Sequence, residues 1–284
     1  MLLMTIGGNR VTGSERQGDP WHITPPDTTL PNAARIYDFL LGGKDNFTVD
    51  REAAARLLEL IPDGAVACQD NRQFLGRAVR YLTAERGIRQ FIDIGAGLPT
   101  QVNVHEIAQG IAPEARVVYV DYDPIVITHA NALLAKQPSV IAHQGDLREP
   151  EKIIGYPAVQ EHIDFSKPLA ILLVAVMHFV TEGEDPGHIA QVLKDAMPDG
   201  SYLVLTHITA DHIDHKASEA AQRVYQGASA PVVPRSHAEI MGFFEGLALV
   251  EPGVVNVRDW RPTLQRQPGQ QRSLMYGGVG LKRW

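Results

Sequence analysis

Cysteine is nearly absent from the sequence, which has one, Cys68, in 284 residues. A single cysteine cannot form an intrachain disulfide and cannot supply a cysteine-based zinc cluster. Positive charge is also scarce, because 26 Lys and Arg residues stand against 33 Asp and Glu residues and leave a net charge of −7. This balance disfavours a broad basic surface of the kind that binds phosphate backbones. We therefore expect a protein of the reducing cytoplasm whose main partner is not a nucleic acid.

Long apolar runs are missing as well. No uncharged run reaches the roughly 18 to 20 residues that a membrane-spanning helix needs. The longest run, residues 169–180, contains His178 and has the composition of a strand. Residues 1–4 are apolar, but they are too few for a secretory signal and no basic region precedes them. The sequence therefore predicts neither a membrane span nor export.

The apolar content of 44% is enough to build a sizeable core. Residues 1–30 are rich in Gly, Pro and Thr and lack periodicity, which predicts a mobile tail. Apolar residues then recur at helical spacing in three segments, 32–41, 50–58 and 70–85. We interpret residues 31–88 as an N-terminal helical lid and residues 89–284 as a core that binds a ligand.

From residue 90 onwards, short β-branched runs alternate with helical segments. The predicted strands are residues 90–94, 116–120, 140–143, 170–175 and 202–206, followed by an antiparallel terminal pair at 247–251 and 273–281. The predicted helices are residues 101–109, 124–134, 150–154, 187–196, 217–225 and 237–244. This order is typical of an α/β fold with a mostly parallel sheet and helices on both faces.

Glycines follow the first predicted strand in the segment Asp93-Ile94-Gly95-Ala96-Gly97. Open parallel sheets bind ligands beyond the carboxyl ends of their strands, where glycines let a ligand approach the backbone. Alone, a Gly-x-Gly is equally well explained by an ordinary tight turn. Asp121 strengthens the binding hypothesis, because it lies 24 residues after Gly97, near the spacing of a carboxylate that binds a ribose diol. The alternative role for Asp121 is the N-cap of the helix that begins at Pro124. Asp123 can fill that role equally well.

A third acidic turn, Gly145-Asp146-Leu147, follows the third predicted strand. Asp146 can accept a hydrogen bond from the exocyclic amine of adenine, and the Leu147 amide can donate to a ring nitrogen. A polar turn that only closes the strand is the alternative for this segment alone. Three acidic turns at one sheet edge predict a nucleoside site. The predicted cofactor contacts are Asp93, Gly95, Ala96, Gly97, Asp121, Tyr122, Asp146, Leu147 and Val176.

The glycine turn also bears on which cofactor binds. The pyrophosphate of a dinucleotide favours Gly-x-Gly-x-x-Gly, but this turn reads Gly95-Ala96-Gly97-Leu98-Pro99-Thr100 and has no third glycine. S-adenosylmethionine fits better. Its amino group matches Asp93, its carboxylate matches the backbone of the turn, its ribose matches Asp121 and its adenine matches Asp146. NAD is the weaker candidate.

Longer stretches of the chain resemble the class I methyltransferases, and more closely a bacterial family of S-adenosyl methyltransferases formerly described as a domain of unknown function. The resemblance is carried by residues 34–47, 50–51, 71–75, 93–100, 120–124, 243–247 and 276–280. It implies a Rossmann-like, seven-stranded sheet with an added helical segment over the cofactor. Pro99 departs from the general pattern, in which a third glycine is commonest, and this weakens the assignment of Thr100 as a ligand contact.

The lid and two strand ends supply the remaining candidates. The resemblance implies lid contacts with cofactor or acceptor from Tyr37, Asp38, Gly43, Asn46 and Arg51, although the same residues could form only a helix and its capped loop. His178 and His207 follow the fourth and fifth predicted strands and are candidate general bases, since histidine titrates near neutrality. Packed core histidines are the alternative for both.

Two further clusters favour structural interpretations. Arg72, Arg77 and Arg80 share one helical segment, and we interpret them as a solvated face. His212 and His215 lie beside Asp211 and Asp214, but they have no third convergent ligand, so we interpret them as a polar helix start and predict no metal.

Together these features predict a methyltransferase that uses S-adenosylmethionine, releases S-adenosylhomocysteine and acts on an unidentified small-molecule acceptor. Methyl transfer depends on positioning and a dry site more than on a fixed catalytic residue, so the catalytic residues stay unassigned. One alternative is a cofactor-binding sensor or partner protein without transfer activity. A third is an NAD-dependent dehydrogenase.

Overall fold

The computed structural model of the chain describes residues 27–99, 103–134, 137–209, 211, 213–263 and 272–283. Most of the predicted tail, together with Thr100 and His212, lies outside these residues. Within the described part of the chain, no helix is both long and apolar enough to cross a bilayer.

Three helices precede the sheet: α1 (Ala33–Leu40), α2 (Thr48–Leu60) and α3 (Gly64–Ala84). Asn32 caps α1, since its side chain accepts from the backbone amide of Ala34 at 2.8 Å. The third helix begins at Gly64, upstream of the predicted start at residue 70, because Ala67 and Cys68 add a buried turn to its apolar face.

The strands are β1 (Gln90–Ile94), β2 (Arg116–Asp121), β3 (Val140–Gln144), β4 (Ala170–Val174), β5 (Tyr202–Ile208), β6 (Ala248–Leu249), β7 (Val255–Asn256) and β8 (Met275–Leu281). The helices between and after them are α4 (Val104–Gln109), α5 (Pro124–Leu134), α6 (Pro150–Gly155), α7 (Pro157–His162), α8 (Pro186–Ala196), α9 (His215–Gln226) and α10 (His237–Gly242). Asp214 caps α9 by accepting from the amide of Ala217, which confirms the polar helix start predicted there.

The sheet has the order β3-β2-β1-β4-β5-β8-β6, with β7 paired to β8. The first five strands are parallel, and β8 runs antiparallel to β5. The predicted Rossmann-like α/β fold is confirmed. The described residues contain eight strands, one more than predicted, because the two-residue β7 adds to β8.

The core lies in two apolar layers, one on each face of the sheet. In β1, Phe91 packs into one layer, whereas Ile92 and Ile94 pack into the other, as the alternation of a strand requires. A smaller cluster joins the lid to α9 through Ile36 and Ala221. Of the predicted lid, α1 and α2 lie in this cluster, whereas α3 packs through Phe74 and Leu82 into a core layer on one face of the sheet. The name lid is kept below for α1 and α2.

Candidate functional site

A cavity of about 330 Å³ lies at the carboxyl ends of the parallel strands, beside the lid. The order of the sheet brings the ends of β1, β2 and β4 together there, because β1 lies between the other two. The residues predicted to contact the cofactor all line this cavity: Asp93, Gly95, Ala96, Gly97, Asp121, Tyr122, Asp146, Leu147 and Val176.

The turn after β1 has a backbone that only glycine adopts easily. Gly95 and Gly97 have φ of +75° and +67°. A Cβ on Gly95 would also overlap the side chain of Val176, whose own Cβ would be only 2.6 Å away. Hydrogen bonds from the amides of Gly95 and Ala96 to the Val120 carbonyl hold the turn against β2. The floor of the cavity is therefore backbone, with little side-chain bulk.

Asp121 links the end of β2 to this turn. One carboxylate oxygen accepts from the Gly97 amide at 2.8 Å, and the other accepts from the Asp123 amide at 2.9 Å. Each oxygen keeps a further lone pair for a ligand. Burial raises the pKa of Asp121 to about 6, although these backbone hydrogen bonds oppose the shift. Asp123 is a separate helix cap, as predicted, since it accepts from the Ile125 amide at 2.8 Å.

Asp93, at the end of β1, is a second buried carboxylate in the same cavity. Burial raises its pKa to about 7, the positive charge of Arg72 lowers it, and the charge of Asp121 raises it. Two buried carboxylates that line one cavity and repel each other are stabilised by a cationic ligand. The cavity is therefore suited to a ligand that carries positive charge.

Asp146 is engaged by Arg148, a residue that the sequence did not single out. The Arg148 Nε donates to both carboxylate oxygens at 2.8 and 3.0 Å, and its guanidinium also pairs with Glu184 at 3.1 Å. Burial works to raise the pKa of Asp146, but the hydrogen bonds from Arg148 lower it overall. The guanidinium lies 5.6 Å from the ring centroid of Tyr122, which is 58% exposed. These residues form the outer wall of the cavity.

Of the lid candidates, Tyr37 lines the cavity, whereas Asp38, Gly43, Asn46 and Arg51 do not. Asp38 is buried and accepts from the amide of Asp45 at 3.0 Å and from the Asn46 side chain at 2.7 Å. A Cβ on Gly43 would overlap that carboxylate. Arg51 donates to the Asn46 carbonyl at 2.8 Å. The four residues shape the loop between α1 and α2, the alternative weighed for them above.

Tyr37 is held in place by a chain of hydrogen bonds that starts in the sheet. The Ala175 amide donates to the Thr206 hydroxyl at 2.9 Å, and that hydroxyl donates to the Asn71 side chain at 2.7 Å. Asn71 then donates to the Tyr37 hydroxyl at 2.9 Å, which itself donates to the Cys68 carbonyl at 3.1 Å. The lid wall of the cavity is thus tied to β5 through α3.

Arg72 lines the cavity beside Asp93, so the interpretation of the arginines as a solvated face is wrong for this residue. It is also wrong for Arg77, which donates to the carbonyl of Trp260 at 2.9 Å. Only Arg80 is exposed. The signal that could have identified Arg72 and its neighbour Asn71 lay within residues 71–75, which carried the resemblance.

His207 is fully buried and does not line this cavity. Because Arg235 can only donate, its 2.9 Å bond to Nε2 makes that nitrogen an acceptor, and Nδ1 donates to the Ile208 carbonyl at 2.7 Å. Burial lowers the pKa of His207 to about 4. His178 does not line this cavity either; it lines a second, smaller one that adjoins it, and burial holds its pKa well below the ordinary value.

The described residues contain no cluster of three or more His, Cys, Asp or Glu side chains placed to hold an ion.

Comparisons with known proteins show what the chain as a whole is similar to. Residues 20–283 match a family model described as S-adenosyl methyltransferase. A candidate methyltransferase from Thermobifida fusca YX is 40% identical, with a TM-score of 0.86 over 94% of this chain and 100% of that one. A DUF574-family protein from Streptomyces avermitilis MA-4680 is 41% identical, with a TM-score of 0.85 over 90% and 99% of the two chains. Comparison with curated proteins found no match.

The same fold occurs in a more distant structure, the plantazolicin methyltransferase BamL in complex with a triazolic desmethylPZN analog and SAH. It is 12% identical, with a TM-score of 0.52 over 88% of this chain and 96% of that one.

Proposed function

The chain belongs to the S-adenosyl methyltransferase family, and on that premise we propose that the 330 Å³ cavity binds S-adenosylmethionine for methyl transfer to a small molecule. The family membership makes the protein an S-adenosylmethionine-dependent methyltransferase. The proposal concerns which residues hold the cofactor and what kind of acceptor it serves.

The residues that line the cavity fit this cofactor chemically. S-adenosylmethionine carries a sulfonium and an ammonium group, and the cavity contains the buried carboxylates Asp93 and Asp121. The glycine turn exposes backbone without side-chain bulk, as a ligand packed against a strand end requires. When bound, the cofactor supplies an electrophilic methyl group on sulfur.

Each wall of the cavity takes one part of the cofactor in this proposal. Asp93 binds the ammonium group, and Asp121 accepts from the ribose hydroxyls through the lone pairs that Gly97 and Asp123 leave open. Arg72 faces the carboxylate of the methionyl part, which agrees with its place beside Asp93. Val176, Leu147, Tyr122 and Asp146 surround the adenine.

A small-molecule acceptor is supported by the lid and by charge. The cavity is lined by lid residues Ala33, Ala34 and Tyr37 together with the strand ends, an enclosure that suits a small acceptor. The net charge of −7 gives no electrostatic attraction to a nucleic acid.

The observation that carries the proposal is that Asp93, Asp121 and the glycine turn line one cavity. Calorimetric titration with S-adenosylmethionine and S-adenosylhomocysteine tests it. Asp121→Ala should weaken binding by about 1.5 to 3 kcal/mol, the value of hydrogen bonds to a charged group. Asp199→Ala is the matched control, because Asp199 is exposed in the turn that precedes β5. Equal affinity in both variants would refute the role given to Asp121.

A further inference from the structure

A second cavity of about 100 Å³ adjoins the cofactor cavity. It lies between α1, α2, α3 and α9 of the lid side and the ends of β4 and β5. Four residues line both cavities and form their common boundary: Ala33, Tyr37, Ala175 and Phe179. A molecule in the smaller cavity would therefore touch the space in which the cofactor binds.

The wall of the smaller cavity is mainly apolar. Its lining includes a methionine, Met275, and the aliphatic side chains of Leu40, Leu57, Ile61 and Ile208. Among its described lining residues there is no Asp, Glu, Lys or Arg. An ionised group placed here would lose its hydration without gaining a charged partner, which is strongly unfavourable.

The ionisable groups that do line the smaller cavity are held in their neutral forms. Burial raises the pKa of Cys68 to about 12 and raises the pKa values of Tyr37 and Tyr225 above the ordinary tyrosine value. Burial also lowers the pKa of His178 well below 6.5, and the nearby charge of Arg235 acts in the same direction. At neutral pH the wall therefore offers hydrogen bonds without charge.

The volume of the smaller cavity and the rigidity of its boundary limit further which molecules can fit. An engineered apolar cavity of about 150 Å³ takes up benzene, so a space of about 100 Å³ that adjoins the cofactor cavity holds at most one ring or a group of similar bulk. The boundary has a fixed shape, because the hydrogen bonds from Thr206 through Asn71 hold Tyr37 and the amide of Ala175. Ala175 also has a left-handed backbone, with φ of 57°.

We propose that the smaller cavity binds the apolar part of the methyl acceptor, an uncharged small molecule with one ring-sized apolar group. Its reactive atom lies at the boundary formed by Tyr37, Ala175 and Phe179, facing the cofactor cavity. This proposal rests on the proposed function, because it takes the larger cavity as the cofactor site. It assigns the acceptor class that the family resemblance left open.

The test is a titration of the full chain, saturated with S-adenosylhomocysteine, with three probes of matched size. Benzyl alcohol is uncharged, benzoate is anionic and benzylamine is cationic at neutral pH. Benzyl alcohol should bind at least about tenfold more tightly than either charged probe. Calorimetry or ligand-observed NMR measures the three dissociation constants.

Two substitutions fill the smaller cavity from different helices. Ala221→Leu enlarges a side chain on α9, and Cys68→Met enlarges one on α3. Each should weaken benzyl alcohol by at least about tenfold while the affinity for S-adenosylhomocysteine changes less than about twofold. Ala220→Leu is the matched control, because Ala220 lies on the same helix and does not line the cavity. A second variant is needed because Ala221 also packs against the lid, so Ala221→Leu changes the packing of the lid as well as the volume of the cavity.

The outcomes separate the two proposals. If S-adenosylhomocysteine fails to bind, the proposed cofactor site is wrong. If it binds while millimolar benzyl alcohol does not, the acceptor proposal is overturned. Equal or tighter binding of a charged probe, or unchanged binding of benzyl alcohol in both filled variants, overturns it as well.

Discussion

The guanidinium of Arg35 in α1 pairs with Asp123 at 3.3 Å, and so joins the lid to the turn that follows Asp121. The same guanidinium pairs with Asp50 of α2 at 2.9 Å, and all three side chains are at least 95% buried. Asp50 in turn accepts from the backbone amides of Asn32 and Phe47 at 2.8 Å. One buried arginine therefore holds both lid helices against the cofactor cavity.

Replacing Arg35 should loosen the lid and destabilise the whole chain. Arg35→Met keeps an apolar stem but leaves two buried carboxylates without their partner, which costs about 3 to 5 kcal/mol in the free energy of unfolding. Arg56→Met, at an exposed position of α2, should change it by no more than about 0.5 kcal/mol. Urea unfolding measures both values, and equal stability of the two variants would contradict this role for Arg35.

Binding of S-adenosylmethionine should weaken as the pH falls. Burial sets the pKa of Asp93 near 7 and that of Asp121 near 6, so acidification neutralises the carboxylates that face a cationic ligand. Each linked proton should reduce affinity by up to about tenfold per pH unit below its pKa. Calorimetry between pH 8 and pH 5 (about one unit beyond each pKa) measures the slope, which Asp93→Asn should flatten above pH 6.

The stability of the ligand-free protein should change with pH in the opposite direction. Between the ordinary value of 3.8 and about 7, Asp93 holds more proton in the folded state than in the unfolded state. Raising the pH through this window therefore lowers the free energy of unfolding, and Asp121 contributes in the same way up to about 6. The difference between wild type and Asp93→Asn isolates the effect. A difference that does not vary with pH would show that Asp93 does not titrate in this window.

The parallel sheet was predictable because its signals are local. The predicted and observed bounds of β1 coincide at residues 90–94, since every residue of the strand is buried between two helical layers. The two residues of β7 and the six of α7 are too short for any periodicity, and both were missed. Their pairing and packing come from distant parts of the chain.

The site was predictable in the same uneven way. Asp93 lies near the carboxyl end of β1 and Asp121 is the last residue of β2, so spacing alone placed them at one edge of the sheet. Arg72 reaches the cofactor cavity from α3, and no sequence spacing relates it to that edge. The overlap that forbids a side chain at Gly95 likewise involves Val176, which is remote in sequence.

Substitution of the two turn glycines should separate backbone strain from overlap. Gly97→Ala places alanine at φ of +67° with open space around its Cβ, and should cost about 1 to 2 kcal/mol of stability. Gly95→Ala adds an overlap with Val176 to a similar strain, so its cost should be clearly larger. Thermal and urea unfolding compare the two. Equal destabilisation would mean that the segment after β4 moves aside without cost.

The hydrogen bond between Asn71 and Tyr37 should contribute measurably to stability. Tyr37→Phe removes the hydroxyl that accepts from the Asn71 side chain and leaves a buried donor unpaired, at a cost of about 1 to 3 kcal/mol. Tyr156→Phe is the control. Tyr156 is 39% exposed, and the loss of its hydroxyl leaves no buried group without a hydrogen-bond partner. Urea unfolding gives the difference in stability. If both variants unfold at the same urea concentration, water replaces the Tyr37 hydroxyl, and the chain of hydrogen bonds from β5 does not fix the lid wall.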